Sequence, residues 1–308
     1  MHWLLKAAGM KVLSVAPGGD AIYHCVQRRV TRSILPTREA VAQRVQVGFD
    51  YLSTLSRWID DRQLRASVHL DIGAGWVPTI PFLFYGLGIE RQILCDIRPN
   101  MTLSAVLGTA RLVNSIAAES APPNGFCWRR SVPAPDAGET LRQYFGRLGI
   151  CYRAPYCSDD LLLEQGFTLA TCTQVLQYVR RPELSSLLQG IRRALSIRGG
   201  LLIASVHLYD PRRYSDPLVV RYDKWRYSES AWSRLVECKL ESFNRLTPSE
   251  YWKLLAASGF EVLDYRVAWP TPQDLEELRR VPVHSEWSDR DEMELGATEL
   301  CFVARAGH

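Results

Sequence analysis

Residues Val68–Gly88, VHLDIGAGWVPTIPFLFYGLG, contain a strand followed by a glycine turn. A short apolar strand runs into Asp71, and Gly73 and Gly75 follow it one residue apart. Pro78 and a further apolar segment come next. A glycine turn between a strand and a helix allows a nucleotide to lie against the backbone. The stretch therefore predicts a nucleotide-binding α/β domain.

Short apolar runs alternate with helical segments on both sides of this turn, which is typical of a parallel sheet wrapped by helices. We predict helices after Val77 and near 101–118, 139–147, 182–196 and 248–258. We predict strands at 68–73, 91–97, 149–154, 167–173, 199–207, 261–269 and 298–306. The resulting fold class is α/β, with a doubly wound, Rossmann-like sheet of seven strands.

Two segments frame this sheet in the sequence. Residues 1–65 are predicted to be an N-terminal helical cap, with apolar side chains at steps of three and four between Val41 and Ile59. Residues 66–308 are predicted to form the Rossmann-like domain, with an insertion at 208–245 after the fifth strand that is predicted to be a lid. The acidic stretch 284–296 is predicted to be a solvated loop.

Composition excludes several classes of protein. A net charge of +4 over 308 residues, without a dense Lys/Arg stripe, argues against a nucleic-acid binder. The eight scattered cysteines predict reduced thiols in the cytoplasm and no disulfide framework or zinc site. Lys6 and Lys11 interrupt the N-terminal apolar runs, and the uncharged run 72–89 carries four glycines and two prolines. We therefore expect neither an exported protein nor a membrane span, and we expect no bound metal.

The two acids near the glycine turn restrict the nucleotide. Pro78 stands where a dinucleotide fingerprint needs its third glycine, and Asp71 would repel a pyrophosphate. An NAD-dependent oxidoreductase is therefore the less favoured alternative. Asp96 ends the next strand, where a carboxylate can accept hydrogen bonds from both ribose hydroxyls. A nucleoside with an amino-acid tail fits both acids, and S-adenosyl-L-methionine is such a molecule.

The chain resembles the class I S-adenosylmethionine-dependent methyltransferases in LDIGAG, LCDI, FTLATCTQVLQYV and GGLLIASV. The resemblance implies that Asp71, Gly73 and Gly75 line the methionine end of the cofactor and that Asp96 binds its ribose. Asp159 or Asp160 is implied for the adenine amino group. The fourth strand departs from the family pattern, because Phe167-Thr168 and Gln177-Tyr178 replace its usual F-D and E-H pairs.

Candidate catalytic residues lie around the same crevice. His207 ends the fifth strand, where it could act as a general base or only bond a neighbouring loop. Asp210 could orient the His207 ring or simply form a turn. Tyr178 could orient the acceptor or pack, and Gln174 flanks the cofactor.

The lid combines aromatic side chains with arginines. Its aromatic residues could bind rings or form the lid's own small core. Its arginines could bind an acidic acceptor or lie on the solvent-exposed face of the lid, and for most of them we favour the solvent-exposed face. These arginines are Arg212, Arg213, Arg221, Arg226 and Arg245.

The reaction expected from these features is O- or N-methylation of a small molecule. The fourth-strand loop TCTQ lacks the [DNS]-P-P-[YFW] run used on planar exocyclic amines. Candidate partners are an anionic or aromatic small-molecule acceptor and a second copy of the chain in a homodimer. The alternative from another class is a catalytically silent cofactor-binding fold that serves as a regulatory or partner subunit.

Overall fold

A computed structural model describes residues 3–19, 22, 36–156, 160, 166–196 and 199–307. The strands are β1 Val68–Ile72, β2 Arg91–Cys95, β3 Ile150–Arg153, β4 Leu169–Thr173, β5 Leu201–His207, β6 Phe260–Ala268 and β7 Glu299–Ala306. The helices are α1 Trp3–Val15, α2 Arg38–Leu55, α3 Asp61–Arg65, α4 Thr79–Gly86, α5 Leu103–Glu119, α6 Leu141–Arg147, α7 Arg181–Ser196, α8 Glu229–Leu235, α9 Pro248–Ala257, α10 Pro272–Arg279 and α11 Glu292–Gly296.

The seven strands form one sheet in the order β3-β2-β1-β4-β5-β7-β6. Strands β1 to β5 pair in parallel, while β7 is antiparallel to both β5 and β6. The strand order reverses between β1 and β4, which creates a crevice at their carboxyl ends. The predicted seven-stranded, Rossmann-like α/β fold is confirmed, and it is the fold of the class I methyltransferases.

The side chains of each central strand alternate between two buried clusters, one on each face of the sheet. On β5, Leu201 and Ile203 join the cluster under α2, α4, α5 and α6, whereas Leu202 and Ala204 join the cluster under α7 and α9. A strand buried on both faces reads as a continuous apolar run, which is why these strands were recognisable in the sequence.

Helix α2 is fastened to the sheet by a polar contact and a close apolar contact. The Tyr51 hydroxyl is buried and bonds Ser205 Oγ at 2.8 Å and Thr173 Oγ1 at 3.2 Å. A Cβ at Gly48 would lie 2.7 Å from Leu83 Cδ1, so glycine is what permits α2 to approach α4 so closely. Residues 36–65 therefore share the main core rather than forming one of their own.

The insertion 208–245 packs on the segment before β7 and forms a third small core. Trp225 and Tyr222 from the insertion contact Trp287, Leu278 and Leu295. Two aromatic residues of the lid, Tyr222 and Trp225, thus belong to a core that the lid shares with the segment before β7. No helix among the described residues has the length and apolar character needed to cross a membrane.

Three sequence interpretations are corrected here. Arg212 and Arg245 are buried against aromatic rings and do not lie on a solvent-exposed face. The stretch 284–296 is not simply a solvated loop, because it contains α11 and the buried Trp287. Helix α10 was missed, although Thr271 and Pro272 start it as Thr247 and Pro248 start α9.

Candidate functional site

The glycine turn lies at the carboxyl end of β1, beside the reversal in strand order. Gly73 and Gly75 have φ of +73° and +66°, in the left-handed region that favours glycine. The backbone N–H groups of Gly73 and Ala74 both donate to the Cys95 carbonyl, which ties the turn to the end of β2. The Gly75 N–H donates to Asp96 Oδ2 at 2.7 Å. Gly75 and Asp96, which were both predicted to bind the cofactor, are therefore in direct contact.

Asp96 presents a partly buried carboxylate at this edge of the sheet. Its Oδ1 accepts the Arg98 N–H at 2.9 Å, so each oxygen holds one backbone donor. Burial raises the pKa of Asp96, and these backbone hydrogen bonds oppose the shift. A carboxylate oxygen has about two acceptor sites. The Asn100 amide also lies 3.5 Å from Oδ1, so Oδ2 is the oxygen with room to accept a further hydroxyl.

Asp71 lies on the face of the sheet covered by α2 and is buried. Its Oδ1 accepts from Thr171 Oγ1 at 2.6 Å, and Thr171 Oγ1 is also 2.8 Å from His69 Nε2. His69 Nδ1 lies 2.8 Å from Gln92 Oε1, which completes a buried polar chain across three strands. Burial raises the pKa of Asp71 to about 7 and lowers that of His69 to about 4. These hydrogen bonds hold the Asp71 carboxyl beneath the glycine turn.

Two adjoining cavities open at this edge. The larger, of about 560 Å³, is bordered by Asp96, Gly75 and aromatic side chains of the loops that follow the strands. The smaller, of about 80 Å³, lies over Asp71 and the first turn of α4. Both cavities share the walls Arg44, Gly73, Gly75, Thr173 and Gln174. They form one elongated site with a small polar end.

His207 stands at the end of β5 but does not itself border either cavity. The Gln174 amide donates to its Nε2 at 2.7 Å, and its Nδ1 lies 3.0 Å from the Tyr214 hydroxyl. Tyr209 stacks on the imidazole ring. Gln174 has φ of +56°, a strained conformation for a residue other than glycine. With this amide orientation, His207 carries its proton on Nδ1 and donates to Tyr214.

The other predicted site residues have different surroundings in the structure. Tyr178 borders the larger cavity from a short 3₁₀ helix, with its ring edge-on to Phe243. Asp210 does not contact His207: its side chain caps the turn at Pro211 and forms a buried ion pair with Arg212. Asp159 lies outside the described residues, whereas Asp160 is described and its charge acts on Tyr156 at the cavity wall.

Sequence reasoning missed Arg44 and the role of Tyr214. Both side chains border the larger cavity, and Arg44 borders the smaller one as well. Arg44 interrupts the apolar stripe of α2 one turn before Gly48, so a charged residue on the packed face of that helix was the available signal. Tyr214 was one aromatic residue among many in the lid and carried no distinguishing pattern.

A cavity of similar size lies elsewhere, between α1, α8 and the start of α7, with a volume of about 590 Å³. Its walls include Lys11, Arg181 and Glu237 but neither a glycine turn nor a strand end. Ligands of open α/β sheets bind outside the carboxyl ends of the strands, so we assign the site to the crevice at β1 and β4.

Comparisons with known proteins give structural similarity only. No protein-family model matches the sequence, and no curated protein shows significant similarity to it. A candidate S-adenosylmethionine-dependent methyltransferase from Listeria monocytogenes is similar over 83% of this chain and 96% of its own, with 13% identity and a TM-score of 0.43. An S-adenosylmethionine-dependent methyltransferase from Mesorhizobium loti is similar over 81% of this chain and 97% of its own, with 15% identity and a TM-score of 0.40. An S-adenosylmethionine-dependent methyltransferase from Methanosarcina mazei is similar over 78% of this chain and 92% of its own, with 14% identity and a TM-score of 0.42. At such distances these structures add no argument about activity or acceptor.

Proposed function

We propose that this protein is an S-adenosyl-L-methionine-dependent methyltransferase that methylates an oxygen or nitrogen of a small molecule. The observation that carries the proposal is the pair of carboxylates at one glycine turn, Asp96 bonded to its backbone and Asp71 buried below it. One carboxylate suits the vicinal hydroxyls of a ribose and the other suits an ammonium. Asp71 at the mouth of the turn disfavours a pyrophosphate, and Pro78 stands where a dinucleotide site needs its third glycine, so NAD is the less favoured ligand.

The residues present fit such a cofactor. A Cβ built on Gly75 meets only open space, with its nearest neighbour, the Gly73 carbonyl oxygen, at 3.9 Å. A ligand can therefore lie directly on this backbone, with its ribose at Asp96 and its amino-acid end at Asp71. The adenine amino group would bind Asp160 or Asp159, of which the structure describes only Asp160.

S-adenosyl-L-methionine supplies a methyl group on a positively charged sulfur. The protein's part is to hold an acceptor atom in line with that methyl group and to receive the proton that the acceptor loses. Trp76, Tyr178 and Tyr214 border the cavity and can orient a flat acceptor. Their electron-rich faces also favour a nearby cationic sulfur.

The route for the proton runs through Tyr214 to His207. Tyr214 borders the cavity and its hydroxyl lies 3.0 Å from His207 Nδ1, so this hydroxyl can pass a proton inward while it accepts one from the acceptor. For Nδ1 to accept, Gln174 must turn its carbonyl toward Nε2–H. The base proposed from the sequence, His207, thus acts from behind Tyr214.

The size of the site supports a small acceptor. The larger cavity of about 560 Å³ has to accommodate most of the nucleoside together with the acceptor. Pockets for small molecules usually occupy roughly 300–1,000 Å³. The remaining space can hold an acceptor of the size of a metabolite.

Calorimetry on the full chain tests the proposal. We expect S-adenosylhomocysteine, the demethylated product, to bind with micromolar affinity and NAD not to bind. A screen of metabolites for release of S-adenosylhomocysteine would then identify the acceptor. Binding of NAD in preference to S-adenosylhomocysteine would contradict the proposal.

Replacement of Asp96 tests the ribose contact. Asp96→Ala should weaken binding of S-adenosylhomocysteine by about 2–3 kcal/mol, because hydrogen bonds to a charged acceptor are stronger than neutral ones. Asp289→Ala, which changes an exposed acid far along the chain, is the matched control and should bind normally. Unchanged affinity in folded Asp96→Ala would refute the ribose assignment.

One observation favours a second candidate function, a cofactor-binding subunit without turnover. Both ring nitrogens of His207 are engaged by Gln174 and Tyr214, which leaves no free base facing the cavity. This candidate predicts S-adenosylhomocysteine binding at full strength and no product with any acceptor. The metabolite screen separates the two functions.

A further inference from the structure

One face of helix α1 packs on the lid. The Trp3 ring meets that of Tyr227 edge-on, with the ring centroids 6.2 Å apart. Met10 is buried on the same face, and Lys6 Nζ lies 3.3 Å from Glu241 Oε2 of the lid. These contacts fix which face of α1 points away from the protein.

The opposite face of α1 is apolar and exposed. Leu5, Ala8, Val12 and Val15 follow one another at steps of three and four, so they lie along one side of the helix. The side chains of Leu5, Val12 and Val15 are 70%, 66% and 78% exposed. A row of large apolar side chains in water marks a surface that binds another molecule.

Basic residues flank this apolar face. With about 3.6 residues per turn, Lys6 lies on one side of the row and Lys11 on the other. Residues 1–19 contain no acid, and residues 1–38 contain six lysines and arginines against the single acid Asp20. An exposed apolar face with basic borders is typical of a helix that lies in the headgroup region of an anionic bilayer.

The basic border continues into the cavity of about 590 Å³ between α1, α8 and the start of α7. Lys11 and Val15 line this cavity, so it adjoins the apolar face directly. Among the described residues, four cations and two acids line it: Lys11, Arg180, Arg181 and Lys239, with Glu229 and Glu237. The excess of positive charge suits a phosphate group.

A second copy of the chain fits this face less well than a bilayer does. Helix α1 has 13 residues and is therefore about 20 Å long and about 10 Å wide. Two such faces would bury about 200 Å² on each copy, whereas a stable interface needs about 800 Å² on each partner. In a two-fold dimer the same face also meets itself, which brings the lysine borders of both copies together.

We propose that α1 docks the protein on an anionic lipid bilayer. Its apolar face lies among the acyl chains next to the headgroups, and the cations of the adjoining cavity contact lipid phosphates. With 13 residues α1 is too short to cross a bilayer, so it lies along the surface. Arg180 of this cavity follows two residues after Tyr178, which borders the candidate functional site, so the docked surface lies close to that site. Docking does not depend on the proposed methyl transfer.

Flotation of the full chain with lipid vesicles tests the proposal. One set of vesicles contains equal parts of phosphatidylcholine and phosphatidylglycerol, and the other contains phosphatidylcholine alone. We expect the protein to bind the first set and to bind the second at least tenfold more weakly. Salt at about 0.5 M should weaken binding to the first set, because it screens the attraction between the cations and the phosphates.

Replacement of two apolar side chains tests the face of α1. The double variant Leu5→Gln with Val12→Gln should bind the anionic vesicles at least tenfold more weakly. Its thermal unfolding should match that of the wild type, because both side chains are largely exposed. The matched control is Tyr265→Gln with Met293→Gln, which changes two exposed apolar residues of β6 and α11 and should bind as the wild type does.

Replacement of one lysine tests the basic cavity. Lys239 is exposed and lines the cavity, so Lys239→Gln should bind the anionic vesicles about fivefold more weakly and leave binding to phosphatidylcholine unchanged. Lys253→Gln, which changes an exposed lysine of α9 outside the cavity, is the control and should bind as the wild type does. Wild-type binding by Lys239→Gln would remove the cavity from the docked surface.

Three results would overturn docking through α1. The first is a wild-type protein that does not bind anionic vesicles or binds both sets equally, and this comparison needs no variant. The second is equal binding by the wild type and by Leu5→Gln with Val12→Gln. The third comes from analytical ultracentrifugation without lipid: a wild-type dimer that this double variant converts to monomers would assign the face to a second copy of the chain.

Discussion

Asp71 illustrates how a single residue acquires its chemistry from its surroundings. The sequence shows only an acid before a glycine turn. Burial raises its pKa to about 7, the neighbouring charge of Asp96 adds to the shift, and Thr171 and Arg44 oppose it. An acid with such a pKa is half ionised near neutral pH, so its attraction for an ammonium depends on pH in the physiological range.

Binding of S-adenosylhomocysteine should therefore weaken at low pH. Below pH about 7 Asp71 takes up a proton, and the ammonium of the ligand then meets a neutral acid. We expect the affinity to fall by up to tenfold per pH unit between pH 7 and pH 5. Asp71→Asn should bind weakly at every pH and lose this dependence. A wild-type affinity that is flat over this range would contradict the role of Asp71.

The same residue predicts a pH-dependent stability. The pKa of Asp71 is raised above its ordinary value of 3.8, so its contribution to stability is complete below pH 3.8 and is lost as pH rises through about 7. Asp71→Asn should consequently be more stable than the wild type at pH 8, by about 2–4 kcal/mol, with a smaller difference near pH 4. Urea denaturation at both pH values measures this. A difference that does not change with pH would argue against an ionised, buried Asp71.

His207 and Tyr214 make a second prediction at the scale of the residue. Tyr214→Phe and His207→Ala should each slow turnover by about 10²–10⁴ and leave the affinity for S-adenosylhomocysteine within twofold. Burial lowers the pKa of His207 from 6.5, so the wild-type rate should fall only below pH 6.5, where the imidazole becomes protonated. Rates are measured with the first acceptor that the metabolite screen identifies.

Tyr265→Phe is the control for this experiment, because Tyr265 is an exposed tyrosine of β6 outside the site. If Tyr214→Phe and His207→Ala keep the wild-type rate, no proton passes through these residues. Proximity and orientation alone would then account for catalysis.

At the scale of the element, the glycine turn depends on two glycines for different reasons. A Cβ on Gly73 would lie 2.2 Å from Val175 Cγ2, so Gly73 is needed for the turn to pack on the loop after β4. A Cβ on Gly75 meets only open space. Gly75 is needed for its positive φ and for the approach of a ligand.

Substitutions in the turn should therefore separate packing from binding. Gly73→Ala should destabilise the fold, and Val175→Ala in the same chain should recover the steric part of the loss. Gly75→Val should abolish S-adenosylhomocysteine binding while the protein stays folded, at a cost of about 1–2 kcal/mol for the left-handed backbone. Thermal unfolding with and without ligand measures both effects. Wild-type binding by Gly75→Val would mean that the ligand does not cross this turn.

At the scale of the whole molecule, buried charges hold the lid together. Arg212 is almost fully buried, where it pairs with Asp210 and Asp223 and lies beside the rings of Trp3 and Trp232. Trp3 belongs to α1 and its backbone N–H donates to Asp216. The lid is thus connected to α1 on one side and to the segment before β7 on the other.

Removal of this buried cation should be costly. Arg212→Met leaves the buried Asp210 without its ion-pair partner and Asp223 with Arg226 alone, and it should lower the free energy of unfolding by about 3–5 kcal/mol. Arg213→Met changes the adjacent, exposed arginine and should cost less than 1 kcal/mol. Urea denaturation followed by tryptophan fluorescence measures both variants. If both variants lower the free energy of unfolding equally and only slightly, the lid arginines would lie on the solvent-exposed face, as the sequence predicted.

The sheet, the glycine turn and the acid at the end of β2 could all be predicted from the sequence. These features depend on local patterns: continuous apolar strands, glycines at a tight turn, and polar residues at strand ends. Three features could not be predicted from the sequence: Arg44 of α2 borders the site, Tyr214 stands between His207 and the cavity, and Arg212 is buried. Each of these contacts joins elements far apart in the chain, and no local periodicity encodes which side chain of a helix or lid will face a given strand end. The site therefore follows from the sequence where its residues border a strand, and from packing where they do not.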